Sequence, residues 1–149
     1  MEKLRLIADD AGKALRTLKE ITDEEYSVIV RDAAIQRFEY TFEIFWKLLK
    51  EYLKVKEGII CNSPKSCFRE AFNVKLLTEE ETIKALEMTD DRNLTSHTYH
   101  EKVAEEIYSK IKDYYIFMNK VYQDMVNHPR LETGGMSREG FGKLVDKEA

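Results

Sequence analysis

Residues 28–57 read VIVRDAAIQRFEYTFEIFWKLLKEYLKVKE and carry the clearest helical pattern of the chain. Its apolar side chains recur at intervals of three and four, which is the period of one face of an α-helix. They are Ile35, Phe38, Phe42, Phe45 (or Trp46), Leu49 and Leu53. We predict one helix from residue 28 to about residue 56, on the order of 40 Å long, ending at Gly58. Its aromatic stripe is expected in a core or dimer interface rather than at a cofactor.

Capping and periodicity signals outside this stretch predict four more helices. Ser63-Pro64 is a typical helix start, with serine as the N-cap and proline in the first turn. Thr78 and Glu81 form a capping box. The predicted ranges are residues 2–21, 64–75, 79 through at least 88, and 101–125. The sequence therefore predicts an all-α, up-and-down helical bundle of about five helices.

Length and composition fit one globular domain. The chain has 149 residues, of which 43% are hydrophobic and 35% are charged. We expect residues 1–128 to form the helical domain. Residues 129–149 hold four of the six glycines, and we expect them to be a flexible or loosely docked C-terminal tail.

Charge and hydropathy narrow the function classes. The net charge of −4 argues against constitutive, non-specific binding of nucleic acid, which depends on an excess of lysine and arginine. The apolar runs are too short for a transmembrane helix, so no membrane partner is expected. The charged N-terminus lacks the apolar block of a signal peptide, and a cytoplasmic protein is expected.

The two cysteines, Cys61 and Cys67, are six residues apart and have no second pair or nearby histidine. A structural zinc site needs more ligands than this. A redox pair is one interpretation, but we expect two reduced thiols, one in a loop and one in a helix. We expect neither a metal nor a cofactor.

The segment RNLTSHTY, residues 92–99, contains the side chains that suit phosphate chemistry. Arg92 is a permanent cation whose planar fork fits phosphate oxygens, and His97 can move a proton near neutral pH. Small polar or acidic groups that can orient these two are Asp91, Asn93, Thr95 and Ser96. Arg92 and His97 are therefore our catalytic candidates for metal-independent RNA cleavage, in which a 2′-hydroxyl attacks the adjacent phosphorus.

Helix geometry constrains how this segment works. Side chains five residues apart on a continuous helix differ by about 140° around its axis. Arg92 and His97 would then not share a face, so either the helix ends inside the segment or two subunits assemble the site. Acid–base cleavage also needs one group to take a proton and another to give one. The segment has a single histidine, whereas a two-fold dimer would supply two.

A purely structural role for this segment is the alternative. The R-x4-H spacing is unspecific by itself, and a histidine near a helix end often serves as a cap or a hydrogen-bonding group. The structural role is favoured if Arg92, His97 and Tyr99 are each buried in salt bridges within one protomer. The catalytic role is favoured if two protomers bring these residues into one cleft.

Three segments together resemble the HEPN superfamily, in its nucleotidyltransferase substrate-binding branch. They are Arg31-Asp32 followed by IQRFEYTFEIFWKLLKEYL at 35–53, Ser63-Pro64 followed by FREAF at 68–72, and RNLTSHTY at 92–99. The resemblance covers about residues 1–125. It implies a five-helix bundle, usually a homodimer, that forms a hetero-oligomer with a minimal nucleotidyltransferase. Many such pairs are toxin–antitoxin modules.

The resemblance also implies roles for three residues. Arg92 and His97 match the motif linked to metal-independent ribonuclease activity. Tyr99 occupies the place of a tyrosine that accepts AMP from the partner enzyme, which silences the nuclease. The chain itself lacks a nucleotidyltransferase motif. Three functions stay open: a binding partner of a nucleotidyltransferase, an RNA-cleaving toxin, and a helical oligomerisation module without a site.

Overall fold

The computed structural model describes residues 2–127, which fold into five α-helices without a strand in that range. The expected tail at residues 129–149 lies outside the described residues. The helices are Glu2–Thr22 (α1), Val28–Tyr52 (α2), Pro64–Asn73 (α3), Glu79–Leu94 (α4) and Glu101–Val126 (α5). All five predicted helices are confirmed, with ends that shift by at most a few residues.

The helix ends follow the local sequence. Ser63 accepts a hydrogen bond from the backbone amide of Ser66, and the Ser66 hydroxyl in turn accepts one from the amide of Ser63. Thr78 and Glu81 make the same reciprocal capping box at the start of α4. These bonds satisfy amide donors that a helix start leaves without partners.

The long predicted helix changes its pitch near its end. Residues 53–57 continue α2 as a short π-helix, and Gly58 then reverses the chain with a left-handed φ of 68°. Glycine adopts this conformation without the steric cost that a Cβ would bring. The cap expected at Gly58 is therefore confirmed.

The core lies where α2 meets its neighbours, because α2 packs against α1, α3 and α5. The ring of Phe38 on α2 stacks on Tyr114 of α5 with centroids 5.6 Å apart, and Phe42 and Phe45 both contact Phe68 of α3. The predicted stripe on α2 is at most 4% exposed at Ile35, Phe38, Phe42, Phe45, Leu49 and Leu53. The aromatic stripe is thus core, as expected.

The expectation of two reduced cysteines is wrong. Cys61, in the loop before α3, forms a disulfide with Cys67 of α3. Both cysteines are almost completely buried. Cys61 lies two residues before the N-cap Ser63, and Cys67 is the fourth residue of α3. Their Cα atoms are 5.3 Å apart, a normal spacing for a disulfide. The spacing along the chain alone could not show that the two thiols meet.

None of the helices within residues 2–127 combines the length and apolar character needed to cross a bilayer.

Candidate functional site

The candidate segment lies where α4 gives way to α5. The α-helix ends at Leu94, a single 3-10 turn spans Thr95–His97, and His100 is the N-cap of α5. The Thr98 hydroxyl donates to the Thr95 carbonyl at 3.2 Å. The helix therefore ends inside the segment, which was one of the two arrangements allowed by helix geometry.

Arg92 lies on the last turn of α4 and faces α2. Its Nη1 donates a hydrogen bond to Thr95 Oγ1 at 3.0 Å. Nη1 also lies 3.7 Å from Glu39 Oε2, and Nη2 lies 3.6 Å from Glu43 Oε2. About a quarter of the Arg92 side chain is exposed. Arg92 is thus ion-paired inside its own protomer but still reaches solvent.

Several donors of the Arg92 guanidinium, Nε among them, make no hydrogen bond within residues 2–127. Nε itself is buried. The contacts to Glu39 and Glu43 are longer than hydrogen bonds. A guanidinium offers five N–H donors, so Arg92 is oriented by its neighbours without being saturated by them.

Residues 95–100 form the connector between α4 and α5, and His97 and Tyr99 lie together on its exposed side. The Tyr99 hydroxyl is 3.4 Å from Nδ1 of His97, and the Tyr99 side chain is 74% exposed. The ring of His100 packs on that of Tyr99 with centroids 4.4 Å apart. Neither His97 nor Tyr99 is buried in a salt bridge, so the criterion for a purely structural role is met only at Arg92 and there only in part.

The supporting candidates are placed differently from one another. Asn93 and Ser96 are exposed, and the Ser96 hydroxyl lies 3.4 Å from the Asn93 carbonyl oxygen. Thr95 is 5% exposed and contacts Arg92 directly. No hydrogen bond joins Arg92 to His97 among the described residues. The site is therefore two small groups, Arg92 with Thr95 and His97 with Tyr99, joined by one turn of chain.

Asp91 points into the bundle, toward α5. Its Oδ2 accepts hydrogen bonds from Lys110 Nζ, at 3.0 Å, and from the Tyr114 hydroxyl. Burial, together with the bond to Asp91, raises the pKa of Tyr114 well above its usual range. The bond to Asp91 also raises the pKa of Lys110. Asp91 thus ties α4 to α5 and does not face the exposed group of His97 and Tyr99.

A second ionic cluster fixes the start of α5. The guanidinium of Arg31, on α2, donates hydrogen bonds to Glu101 and to Glu105, the latter at 2.9 Å. The Arg31 side chain is only 4% exposed, so its charge is buried and neutralised by these carboxylates. The Tyr26 hydroxyl also donates to Glu105. Hydrogen bonds from Tyr26 and Arg31 lower the pKa of Glu105. These contacts begin two residues after Tyr99 and hold that end of the connector.

Sequence reasoning missed Glu39 and Glu43. They are four residues apart, so they share one face of α2, and both reach Arg92. The spacing of the two acids was the available signal. It could not show which helix that face would meet, because no local pattern places α4 beside it.

Comparison with known proteins agrees with the fold. The family model described as nucleotidyltransferase substrate binding protein like matches residues 8–127. The chain belongs to this family. A curated relative from Haemophilus influenzae, called "Probable ribonuclease HepT", is 32% identical over 129 residues, which cover 77% of this chain and 87% of the relative.

Two solved structures are similar to this member of the nucleotidyltransferase substrate-binding family. A protein from Thermus thermophilus is 52% identical with a TM-score of 0.75, covering 77% of this chain and 98% of that one. A Haemophilus influenzae structure, described as revealing the fold of a substrate binding domain of a nucleotidyltransferase, is 24% identical with a TM-score of 0.64. It covers 81% of this chain and 98% of its own. At 24% identity, the similarity to this second structure supports the fold alone.

Proposed function

We propose that this protein is the partner of a minimal nucleotidyltransferase and presents Tyr99 to it as the acceptor of an adenylyl group. The observation that carries this proposal is the position of Tyr99, whose side chain is 74% exposed on the connector between α4 and α5. An enzyme can modify a hydroxyl only if its active site can enclose it. Membership of the nucleotidyltransferase substrate-binding family supports this kind of partner.

The transfer is a simple displacement at phosphorus. The Tyr99 oxygen attacks the α-phosphorus of a nucleoside triphosphate, the bond to pyrophosphate breaks, and the phenolic proton passes to a base or to water. The product is an adenylyl phosphodiester on Tyr99 with one negative charge. Because Tyr99 lies 3.4 Å from His97, this group would cover His97 by volume and by charge.

The test uses the purified chain, a minimal nucleotidyltransferase from the same organism, and ATP. Mass spectrometry is expected to find one adenylyl group per chain, on Tyr99, and none on Tyr99→Phe. The matched control is Tyr40→Phe, since Tyr40 is also exposed but lies on α2. The proposal is contradicted if Tyr99→Phe is modified as much as wild type, or if the wild-type protein is not modified at all.

A second candidate function is metal-independent cleavage of RNA, which the same modification would silence. It is favoured by two side chains of the segment. Nη2 of Arg92 faces Glu43 at 3.6 Å, which is longer than a hydrogen bond, and His97 is exposed. In this reaction the 2′-hydroxyl loses its proton and its oxygen attacks the adjacent phosphorus. The bond to the 5′-oxygen breaks, and that oxygen takes up a proton. The products are a 2′,3′-cyclic phosphate and a 5′-hydroxyl.

We propose a homodimer as the acting form of this ribonuclease. One protomer contributes one histidine from the segment, while the reaction needs both a proton acceptor and a proton donor. Large apolar side chains are exposed around this end of the bundle, as expected of a contact surface. They are Val28, Ile29 and Leu94. The Arg31 contacts to α5 hold the first turn of α2, with Val28 and Ile29, beside the connector.

The ribonuclease and the dimer are tested together. Wild-type protein is expected to cleave RNA without added metal and to arrest growth when expressed alone, and His97→Ala is expected to do neither. Mixing His97→Ala with wild-type protomers should lower activity per wild-type chain if two protomers share a site. Equal activity per wild-type chain at every mixing ratio contradicts a shared site. A wild-type protein that neither cleaves RNA nor accepts AMP supports a plain oligomerisation module.

A further inference from the structure

Glu39, Thr95 and Arg92 form a closed triangle between α2 and the end of α4. The Thr95 hydroxyl oxygen lies 2.6 Å from Glu39 Oε2 and 3.0 Å from Arg92 Nη1, and Nη1 lies 3.7 Å from the same Glu39 oxygen. We propose that Glu39 is a positioning residue that sets the orientation of the Arg92 guanidinium through Thr95. The functional half of this inference rests on the proposed role of Arg92 in RNA cleavage.

The direction of the hydrogen bonds follows from the number of protons. A threonine hydroxyl has one proton to donate, but Thr95 Oγ1 is close to two acceptors, Glu39 Oε2 at 2.6 Å and the Arg92 carbonyl at 2.7 Å. An ionised carboxylate is the stronger acceptor. The proton therefore goes to Glu39, and a lone pair of the hydroxyl oxygen is directed at Nη1.

The centre of this arrangement, Thr95, is buried, while Glu39 and Arg92 are partly exposed. Thr95 is 5% exposed and lies in the single 3-10 turn that ends α4. Water thus has little access to compete for its hydroxyl. Glu39 comes from a different helix, so the network fixes Arg92 relative to α2 as well as to its own turn. With Nη1 held, the guanidinium plane cannot rotate freely, and its Nη2 edge stays directed toward Glu43.

Glu43 has a different role in the same group. It makes no hydrogen bond to Arg92, its side chain is 42% exposed, and Trp46 Nε1 donates to its other carboxylate oxygen at 3.3 Å. An incoming phosphate would approach the same nitrogen that Glu43 faces. Glu43 therefore competes with a phosphate for Nη2, whereas Glu39 holds Nη1. The two carboxylates are a matched pair for experiment because both contact Arg92 from α2.

The first measurement is the rotation rate of the Arg92 guanidinium, observed by nitrogen-15 NMR, which requires no substrate. Wild-type protein is expected to show slow rotation with distinct Nη1 and Nη2 signals. Thr95→Val and Glu39→Gln are expected to accelerate the rotation by about tenfold or more, as for losing a hydrogen bond to a charged group. Thr95→Ser should restore the slow rate. Unchanged rotation in both Glu39→Gln and Thr95→Val overturns the inference.

The second measurement separates positioning from simple stability. On RNA, Glu39→Gln is expected to lower kcat about tenfold with little change in KM, and Glu43→Gln is expected to lower KM. Equal effects of the two variants overturn the assignment of separate roles. If wild-type protein cleaves no RNA, the ribonuclease proposal fails, while the rotation rates still decide whether Glu39 positions Arg92. Should Thr95→Val not fold, Glu39→Gln carries both measurements.

Discussion

The Tyr99 hydroxyl lies 3.4 Å from Nδ1 of His97, two residues earlier on the same exposed connector. A group attached to the tyrosine oxygen thus begins within contact distance of the imidazole. This contact joins the two proposed functions, because a site that presents Tyr99 for modification places the modification on the residue proposed to move protons.

His97 and His100 are a natural pair of variants, since both are exposed and both rings contact Tyr99. His97→Ala is expected to reduce RNA cleavage roughly 100-fold or more, the usual effect of removing a general acid or base. His100→Ala is expected to leave cleavage within a few-fold of wild type. The measurement is the rate of cleavage of a short fluorescent RNA. Equal losses in both variants would contradict a specific role for His97.

Asp91 ties α4 to α5 through its hydrogen bonds to Lys110 and Tyr114. Its removal in Asp91→Ala leaves the buried Tyr114 hydroxyl without its acceptor, which is expected to lower the free energy of unfolding by about 1–3 kcal/mol. Transfer of AMP to Tyr99 should be unaffected below the unfolding transition. The control is Asp90→Ala, which removes an exposed ion pair with Lys65 and should cost about 1 kcal/mol or less. Denaturant unfolding compares the two.

Local sequence patterns predict the helices of this protein but not the contacts between them. Helical periodicity and capping boxes depend on neighbours along the chain, so the five helices were predictable. The end of α4 inside the segment was one of the two arrangements that helix geometry left open. The contacts of Asp91 and Glu39 depend on which helix faces which. Asp91 and Arg92 are adjacent in sequence, yet one side chain enters the bundle and the other turns to α2. No local pattern separates them.

The Cys61–Cys67 disulfide was not predicted from the sequence, for a related reason. Six residues along the chain can place two thiols far apart or in contact, depending on the conformation of residues 61–63 before α3. Since cytosolic proteins seldom keep disulfides, composition favoured free thiols. The two buried cysteines of this fold are bonded instead.

The disulfide is expected to stabilise the protein measurably. Closing a loop of this length restricts the unfolded chain by about 2 kcal/mol in the chain-entropy description. Reduction of the wild-type protein should therefore lower its melting temperature. The double variant Cys61→Ala/Cys67→Ala should melt at a lower temperature too, and adding reductant to it should change nothing. If the reductant shifts the double variant as much as the wild type, the disulfide is not the cause.

Glu81 is expected to make part of the free energy of unfolding sensitive to acid. Burial alone would raise the pKa of Glu81, but hydrogen bonds from Lys120 and from the Thr78 amide outweigh it and lower the pKa. A carboxyl whose pKa is lower in the folded state stabilises the fold fully above its unfolded value of about 4.3. This stabilisation is lost as the pH falls through the folded value.

Glu81→Gln keeps the shape of the capping box but cannot titrate. Its unfolding free energy is expected to be lower than that of wild type at pH 6, and the difference should shrink as the pH falls below about 4. Urea unfolding at a series of pH values measures this. Glu79→Gln is the control, because Glu79 is exposed in the same first turn. A difference that stays constant from pH 6 to pH 3 contradicts the argument.

Gly12, in the middle of α1, combines two opposing effects. Alanine is favoured over glycine inside a helix by about 1 kcal/mol, so Gly12→Ala would stabilise α1 alone. In the folded protein the new Cβ would lie 2.6 Å from the hydroxyl oxygen of Tyr122, whose side chain is only 5% exposed. Overpacking of this kind costs about 1–3 kcal/mol, so a net loss of stability is expected.

The double variant decides whether the contact causes that loss. Gly12→Ala/Tyr122→Phe removes the hydroxyl that the new methyl group would meet, leaving 3.3 Å to the ring carbon that bore it. Gly12→Ala should therefore cost less in the Tyr122→Phe background than in wild type. The four proteins form a double-mutant cycle, measured by thermal unfolding. If the effects of the two substitutions simply add, α1 and α5 accommodate the methyl group by a small shift. The close approach of Gly12 to Tyr122 is then not required for these two helices to pack.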